Sequence, residues 1–111
     1  MLKHTGRKFT EEIVYSDWIT LPDNNLTPSV AGGNCFLCAT GHTAARSLTN
    51  FTGGSSGQIV ILKGGNPTYK TTLVDGTYFK LNGNWTEALN STIVLINCSG
   101  VWYELCRCAP G

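Results

Sequence analysis

Apolar and polar residues follow the period of β-strands through most of the chain. No apolar stripe of period 3.6 persists over the roughly 10 to 12 residues that a helix needs. The short apolar and alternating runs predict eight strands, at residues 12–20, 34–39, 47–51, 58–63, 70–74, 78–81, 92–97 and 101–107. The segments between them are rich in glycine and asparagine, which favour tight turns. The pattern therefore predicts an all-β fold.

The turn sequences predict how these strands are connected. Gly53-Gly54, Asp75-Gly76 and Ser99-Gly100 supply the positive φ angles that hairpins require. Strands joined by such turns typically form mainly antiparallel sandwiches, jelly rolls or small barrels. A chain of 111 residues has room for one hydrophobic core. We therefore expect a compact antiparallel β-sandwich or jelly-roll-like domain.

Two strands are apolar without interruption, at residues 59–62 and 93–96. Such strands are typically buried on both faces, one in the core and one against a second sheet or subunit. In Trp102-Tyr103 the neighbouring side chains point to opposite faces, so one should enter the core and the other a contact. These patterns predict a homo-oligomer. Its expected interface residues are Ile59, Ile61, Ile93, Leu95, Trp102 and Tyr103.

The N-terminal part, residues 1–26, differs from the glycine-rich part at 27–111. We interpret residues 1–9 as an arm that is ordered only by a partner, followed by the first strand; a frayed terminus is the alternative. The residues expected to dock are Lys3, Arg7, Lys8 and Phe9. Because the acidic residues Glu11 and Glu12 stand where a signal peptide would be apolar, we expect the chain to remain in a cytosol.

Composition and charge narrow the function classes. Charged residues make up 14% of the chain, against roughly 25% in ordinary soluble domains. So few charges suggest that a partner covers part of the surface. The net charge of +1 provides no field to attract phosphate backbones or anionic lipid, so neither nucleic acid nor membrane is an expected partner.

Candidate chemistry is sparse. Cys35, Cys38 and His42 have a spacing that could supply three zinc ligands, but residues i and i+3 of a strand point to opposite faces. We therefore expect free thiols that pack as small apolar groups, with the zinc site as the alternative. The two histidines and the scattered serines match no catalytic motif. The sequence predicts a non-enzymatic protein without a cofactor.

Six blocks carry a resemblance to a β-module of bacteriophage surface proteins. They are TPSVAGGNCF at 27–36, LTNFTGG at 48–54, GQIVIL at 57–62, TLVDG at 72–76, IVLI at 93–96 and GVWYELCR at 100–107. In that family the module resembles a terminal β-domain on right-handed β-helical tailspikes and fibres, and it also occurs in small virion proteins. The resemblance implies a homotrimer.

Two departures from the family refine this expectation. No β-helical stalk precedes the module, and four cysteines stand where small or aliphatic residues are expected, at positions 35, 38, 106 and 108. We therefore expect a capsid decoration (cement) protein on the outer surface of a phage head, assembled in the host cytoplasm and docked on the major capsid protein. The alternative is a tail-fibre or tailspike tip that binds a host glycan, with Trp85 as the stacking residue.

Overall fold

The computed structural model describes residues 17–38, 41–65 and 68–110. These residues contain no helix. Their strands are β1 Ile19–Thr20, β2 Cys35–Leu37, β3 Arg46–Leu48, β4 Ile59–Lys63, β5 Thr71–Leu73, β6 Phe79–Lys80, β7 Trp85–Thr86, β8 Thr92–Cys98 and β9 Val101–Cys108. The all-β prediction is confirmed for this part of the chain.

The strands form two sheets around one core. The larger sheet has the order β1-β2-β4-β8-β9-β6, and the smaller has the order β3-β5-β7. Buried apolar side chains from both sheets belong to a single cluster, which includes Leu62 and Ile93 from the larger sheet and Leu73 from the smaller. At roughly 1.5–3 kcal/mol for each fully buried large side chain, this cluster is the main source of stability.

The expectation of mainly antiparallel sheets is only partly correct: the longest strand pairs, β4–β8 and β8–β9, are antiparallel, but four of the seven described strand pairs are parallel. Several parallel contacts join positions that lie 23 to 26 residues apart: Ser29 with Thr52, Arg46 with Thr71 and Cys35 with Ile61. The chain therefore follows nearly the same path twice, with one turn stacked on the next. We call this arrangement the parallel coil.

Most glycine-rich segments connect strands that do not pair with each other. Parallel neighbours need a crossover of about a dozen residues or more, and these segments lie within such crossovers. Among the described strands, the one hairpin between consecutive antiparallel neighbours joins β8 to β9. Its turn residues Ser99 and Gly100 both have positive φ, 53° and 89°. The sequence thus identifies turn residues correctly, but among the described strands only the turn between β8 and β9 closes a hairpin.

The predicted strands agree well with the observed ones. Each of the eight predicted segments overlaps a strand, although the first does so only at Ile19–Thr20, since residues 12–16 lie outside the described residues. Strand β7 was not predicted, because two residues within a turn-rich segment give no periodic signal. The prediction that one residue of the aromatic pair enters the core is confirmed, since Trp102 is fully buried; Tyr103 is 43% exposed, and its contact stays a prediction.

A buried carboxylate joins two parts of the coil. Glu87 follows β7 and is fully buried. Its Oε1 accepts the Gly65 N–H at 2.8 Å, and its Oε2 accepts the Thr71 N–H at 2.6 Å. Because a carboxylate accepts hydrogen bonds on both oxygens, it satisfies two backbone donors from the segment that leads into β5. The carboxylate thereby positions the smaller sheet against β4.

Candidate assembly surfaces

The side of the larger sheet that points away from the core carries an apolar block. We call this side the outer face. At its centre, Ile59 pairs with Ile96 and Ile61 pairs with Val94, and all four side chains are half-buried. The charged residues at outer-face positions of the described strands are Lys63 and Lys80. The outer face is therefore mostly apolar and weakly charged.

The size of the outer face limits what it can hold. Four neighbouring strands about 4.8 Å apart, with five residues of about 3.4 Å each, span roughly 330 Å². Apolar patches of about 300–600 Å² occur on ordinary monomers, while a standard interface buries about 800 Å² on each partner. The outer face alone is thus sufficient for weak association and too small for a stable complex.

The structure divides the predicted interface residues into two groups. Ile93, Leu95 and Trp102 are fully buried in the core of the chain, so their side chains are not available to a partner. Their place on the outer face is taken by Val94 and Ile96, which the sequence analysis missed. The other three predicted residues do lie on the outer face: Ile59, Ile61 and Tyr103. An uninterrupted apolar run gives no sign of which alternate residues point inward.

A second exposed surface lies at the first strand of the parallel coil. Ile19 pairs with the core residue Phe36, so its side chain lies on the core side of the sheet. It is nevertheless 41% exposed, because no described strand pairs with the other edge of β1. Trp18 and Leu26, from the same first turn, are 48% and 49% exposed. We call these three residues the open end of the coil.

The opposite end of the coil is closed. Strand β7 runs antiparallel to β5, and β8 runs antiparallel to β4, so both sheets change direction after the second turn. An additional parallel turn therefore cannot stack directly on β4 or β5. Beyond the β8–β9 hairpin, β6 pairs in parallel with β9 and forms the other edge of the larger sheet among the described strands. The two edges differ in that the core position Ile19 of β1 is 41% exposed, whereas Phe79 of β6 is fully buried.

A polar cluster attaches the loop of the first turn to the second turn. Arg46, at the start of β3, forms an ion pair with Asp23 at 3.0 Å and donates a hydrogen bond to the Asn24 side chain. A cavity of about 10 Å³ lies beside this cluster, and His42 and Thr71 contribute to its wall. That volume is sufficient for about one water molecule, so the cavity is not a substrate pocket.

The alternative zinc site is not supported. Cys35 lies at an outer-face position beside Ile61, whereas Cys38 belongs to the core. Burial and the nearby Glu87 carboxylate raise the pKa of the Cys38 thiol, so it remains protonated at neutral pH. In the described ranges, no group of three or more His, Cys, Asp or Glu side chains is arranged to hold a metal ion. A protonated thiol is also a poor nucleophile, which disfavours a Cys38–His42 catalytic pair.

Two further sites were considered in the sequence analysis. Trp85 is only 4% exposed and packs in the core, so it cannot stack on a sugar, and the glycan-binding alternative loses this residue. The docking residues of the arm, at positions 3, 7, 8 and 9, lie outside the described residues. The exposed aromatic residues of the described chain are Trp18, Tyr69, Tyr78 and Tyr103. The sequence indicates that each of these four residues could stack on a sugar if it were exposed, but which aromatic residues are exposed depends on packing between distant segments.

Comparisons with known proteins identify no relative. No protein-family model, curated protein or solved structure matches the chain. In the described residues, no helix is long and apolar enough to cross a membrane.

Proposed function

We propose that the chain is a non-enzymatic structural module of a phage particle and that it forms the terminal part of a fibre or tailspike. The observation that supports this proposal is the open end of the parallel coil. There Ile19 occupies a core position and still exposes 41% of its surface. A side chain in that position gains from being covered by another element.

The difference between the two ends gives the module a direction. The edge of β1 with which no described strand pairs offers backbone groups to a further strand, and the apolar residues Trp18 and Leu26 add side-chain contacts. At the other edge of the larger sheet, the two-residue strand β6 pairs in parallel with β9, but its core residue Phe79 is fully buried, so no core position is left exposed there. A module that is open on one side and capped on the other suits the end of an elongated assembly better than its middle. This argument favours the fibre or spike role over decoration of the head.

Capsid decoration is the second candidate function. It is supported by the low content of charged residues, 14% against roughly 25% in ordinary soluble domains, which suggests that a partner covers part of the surface. In this case the outer face would contact neighbouring copies, and the arm at residues 1–9 would dock on the major capsid protein. Decoration proteins act by binding only the assembled shell, which stabilises it by mass action.

Self-association into a homotrimer is part of both proposals. The outer face is the contact surface in this hypothesis, with Ile61 near its centre. Because this face is smaller than a standard interface, we expect weak association of the isolated chain and tighter association on a particle that holds the copies together. The light-scattering mass should rise above 12.0 kDa with concentration. A constant mass of one chain would contradict self-association.

Incorporation into particles tests the proposed role. We suggest assembling particles with an Ile19→Lys variant, which places a charge at the open end. A matched control is Leu89→Lys, because Leu89 is 60% exposed and lies in the turn before β8. The control should be incorporated normally, while the Ile19 variant should be absent. Full incorporation of the Ile19 variant would exclude the open end as the attachment surface.

Electron microscopy of the same particles distinguishes the two roles by location and copy number. A few copies on the tail would support the fibre or spike module. Hundreds of copies on the head would support decoration. Absence of the wild-type chain from purified particles would overturn both.

A further inference from the structure

Two exposed thiols lie side by side on one strand. Cys106 and Cys108 occupy alternate positions near the end of β9, so both project from the outer face. Their partners across β8 are Val94 and Thr92. Neither partner carries a charge or a group that would compete for a thiol. In the isolated chain the pair is therefore open to solvent and to a ligand.

The backbone between the thiols is anchored from the opposite side of the sheet. The Arg107 guanidinium donates hydrogen bonds to both oxygens of Glu104, at 2.7 and 2.8 Å. It also donates to the backbone carbonyl oxygens of Gly83 at 2.8 Å and Asn84 at 3.3 Å. These side-chain hydrogen bonds and the backbone pairing with β8 both hold Arg107 in place. The backbone that carries the two neighbouring cysteines is therefore rigid.

We propose that Cys106 and Cys108 form a two-thiolate binding site for the soft monovalent ion Cu(I). Alternate residues of a strand are about 6.8 Å apart, and the Cβ–Sγ bonds can lean toward each other. An ion bound in line between two sulfur atoms requires them to lie about 4.6 Å apart, twice a metal–sulfur bond of about 2.3 Å, and side chains that lean toward each other can reach this separation. That separation places one ion in line between two sulfurs. Binding releases the two thiol protons to solvent.

The chemistry of the donor set selects this ion class. Thiolate ligands favour Cu(I) over hard cations such as Mg²⁺ and Ca²⁺, which require oxygen ligands. Structural zinc requires four ligands, and the described residues provide no such group. Cys35 and Cys38 are buried, and Cys98 lies at the far end of the β8–β9 hairpin, so these thiols are not expected to contribute. The site does not depend on the role proposed above.

Competition for Cu(I) tests the site. The reduced full-length chain is titrated without oxygen against bathocuproine disulfonate, a chromogenic Cu(I) chelator. We expect one ion per chain, and binding at least about tenfold weaker in Cys106→Ser and in Cys108→Ser, because each variant loses the chelate effect. The control Cys98→Ser removes an exposed thiol outside the pair and should bind as the wild type does.

Two results would overturn the proposal. One is equal Cu(I) affinity of the wild type and the single variants at Cys106 or Cys108. The other is loss of binding in Cys98→Ser. Urea unfolding of each variant, followed by the fluorescence of the buried Trp102, identifies variants that have not folded. Retention on a phenylarsine oxide resin, which captures paired thiols, is a second measurement on the unmodified chain; failure to be retained would contradict the geometry.

Discussion

Replacing Glu87 by glutamine should destabilise the fold strongly although it changes only one atom of the side chain. The wild-type carboxylate is fully buried and accepts backbone N–H groups on both oxygens, from Gly65 at 2.8 Å and Thr71 at 2.6 Å. The thiol of Cys38 lies close enough for the carboxylate to raise its pKa. The two backbone N–H groups and the thiol are all hydrogen-bond donors, so they require an acceptor at this position and not another donor.

The magnitude follows from the geometry. Glutamine offers one acceptor oxygen, and its NH₂ group would face one of the two backbone donors. A buried N–H left without a partner costs about 1–3 kcal/mol, and the remaining bond loses its charge assistance, about 1 kcal/mol more. We expect Glu87→Gln to lower the free energy of unfolding by about 2–4 kcal/mol, a large part of the roughly 5–15 kcal/mol of a typical domain.

Urea unfolding followed by the fluorescence of the buried Trp85 and Trp102 measures this loss. The matched control is Asp75→Asn, the same carboxylate-to-amide change at an exposed residue whose Oδ1 accepts one backbone N–H, from Leu81 at 2.9 Å. The control should change stability by less than about 1 kcal/mol. If Glu87→Gln also changed the free energy of unfolding by less than about 1 kcal/mol, the two backbone N–H groups would not require a carboxylate.

Three further changes test other contacts. Gly64→Ala should lower stability by about 1–3 kcal/mol in thermal unfolding, because an added Cβ would collide with the Ala88 carbonyl oxygen; unchanged stability would contradict this packing. Hydrogen bonds from Arg107 lower the pKa of Glu104, so their contribution is present above the ordinary carboxyl pKa of 4.5 and is lost as the pH falls through the lower folded value. Arg107→Gln should therefore flatten the acid dependence of urea unfolding below about pH 4.5, and an unaltered profile would refute the assignment. His42→Leu should keep or raise the unfolding free energy, by up to about 2 kcal/mol, because both buried ring nitrogens lack hydrogen-bond partners among the described residues; a clear loss would show that they are satisfied.

The sequence was sufficient to predict the local conformation of most of the chain. Alternation of apolar and polar residues is a property of neighbouring positions, and each segment predicted from it overlaps an observed strand. The opposite orientations of Trp102 and Tyr103 follow from the same local rule. Strand β7 was missed because two residues cannot display a period.

Topology was not predictable in this way. A glycine-rich segment has the same turn preferences whether it closes a hairpin or forms part of a crossover. Only the folded chain determines that Arg46 lies beside Thr71 in a parallel pair. For this reason the sequence analysis predicted antiparallel neighbours and did not detect the parallel coil. The open end at Ile19 follows from that coil and had no local signal.

The candidate surfaces depend on which side of each strand faces the core. In residues 93–96 every side chain is apolar, so the sequence contains no preference between the inward set, Ile93 and Leu95, and the outward set, Val94 and Ile96. Trp85, whose turn-rich neighbours left an exposed sugar-stacking role open as an alternative, is buried. Periodicity is thus encoded locally and could be derived from the sequence, whereas burial is the sum of contacts between segments far apart in the chain and was decided only by tertiary packing.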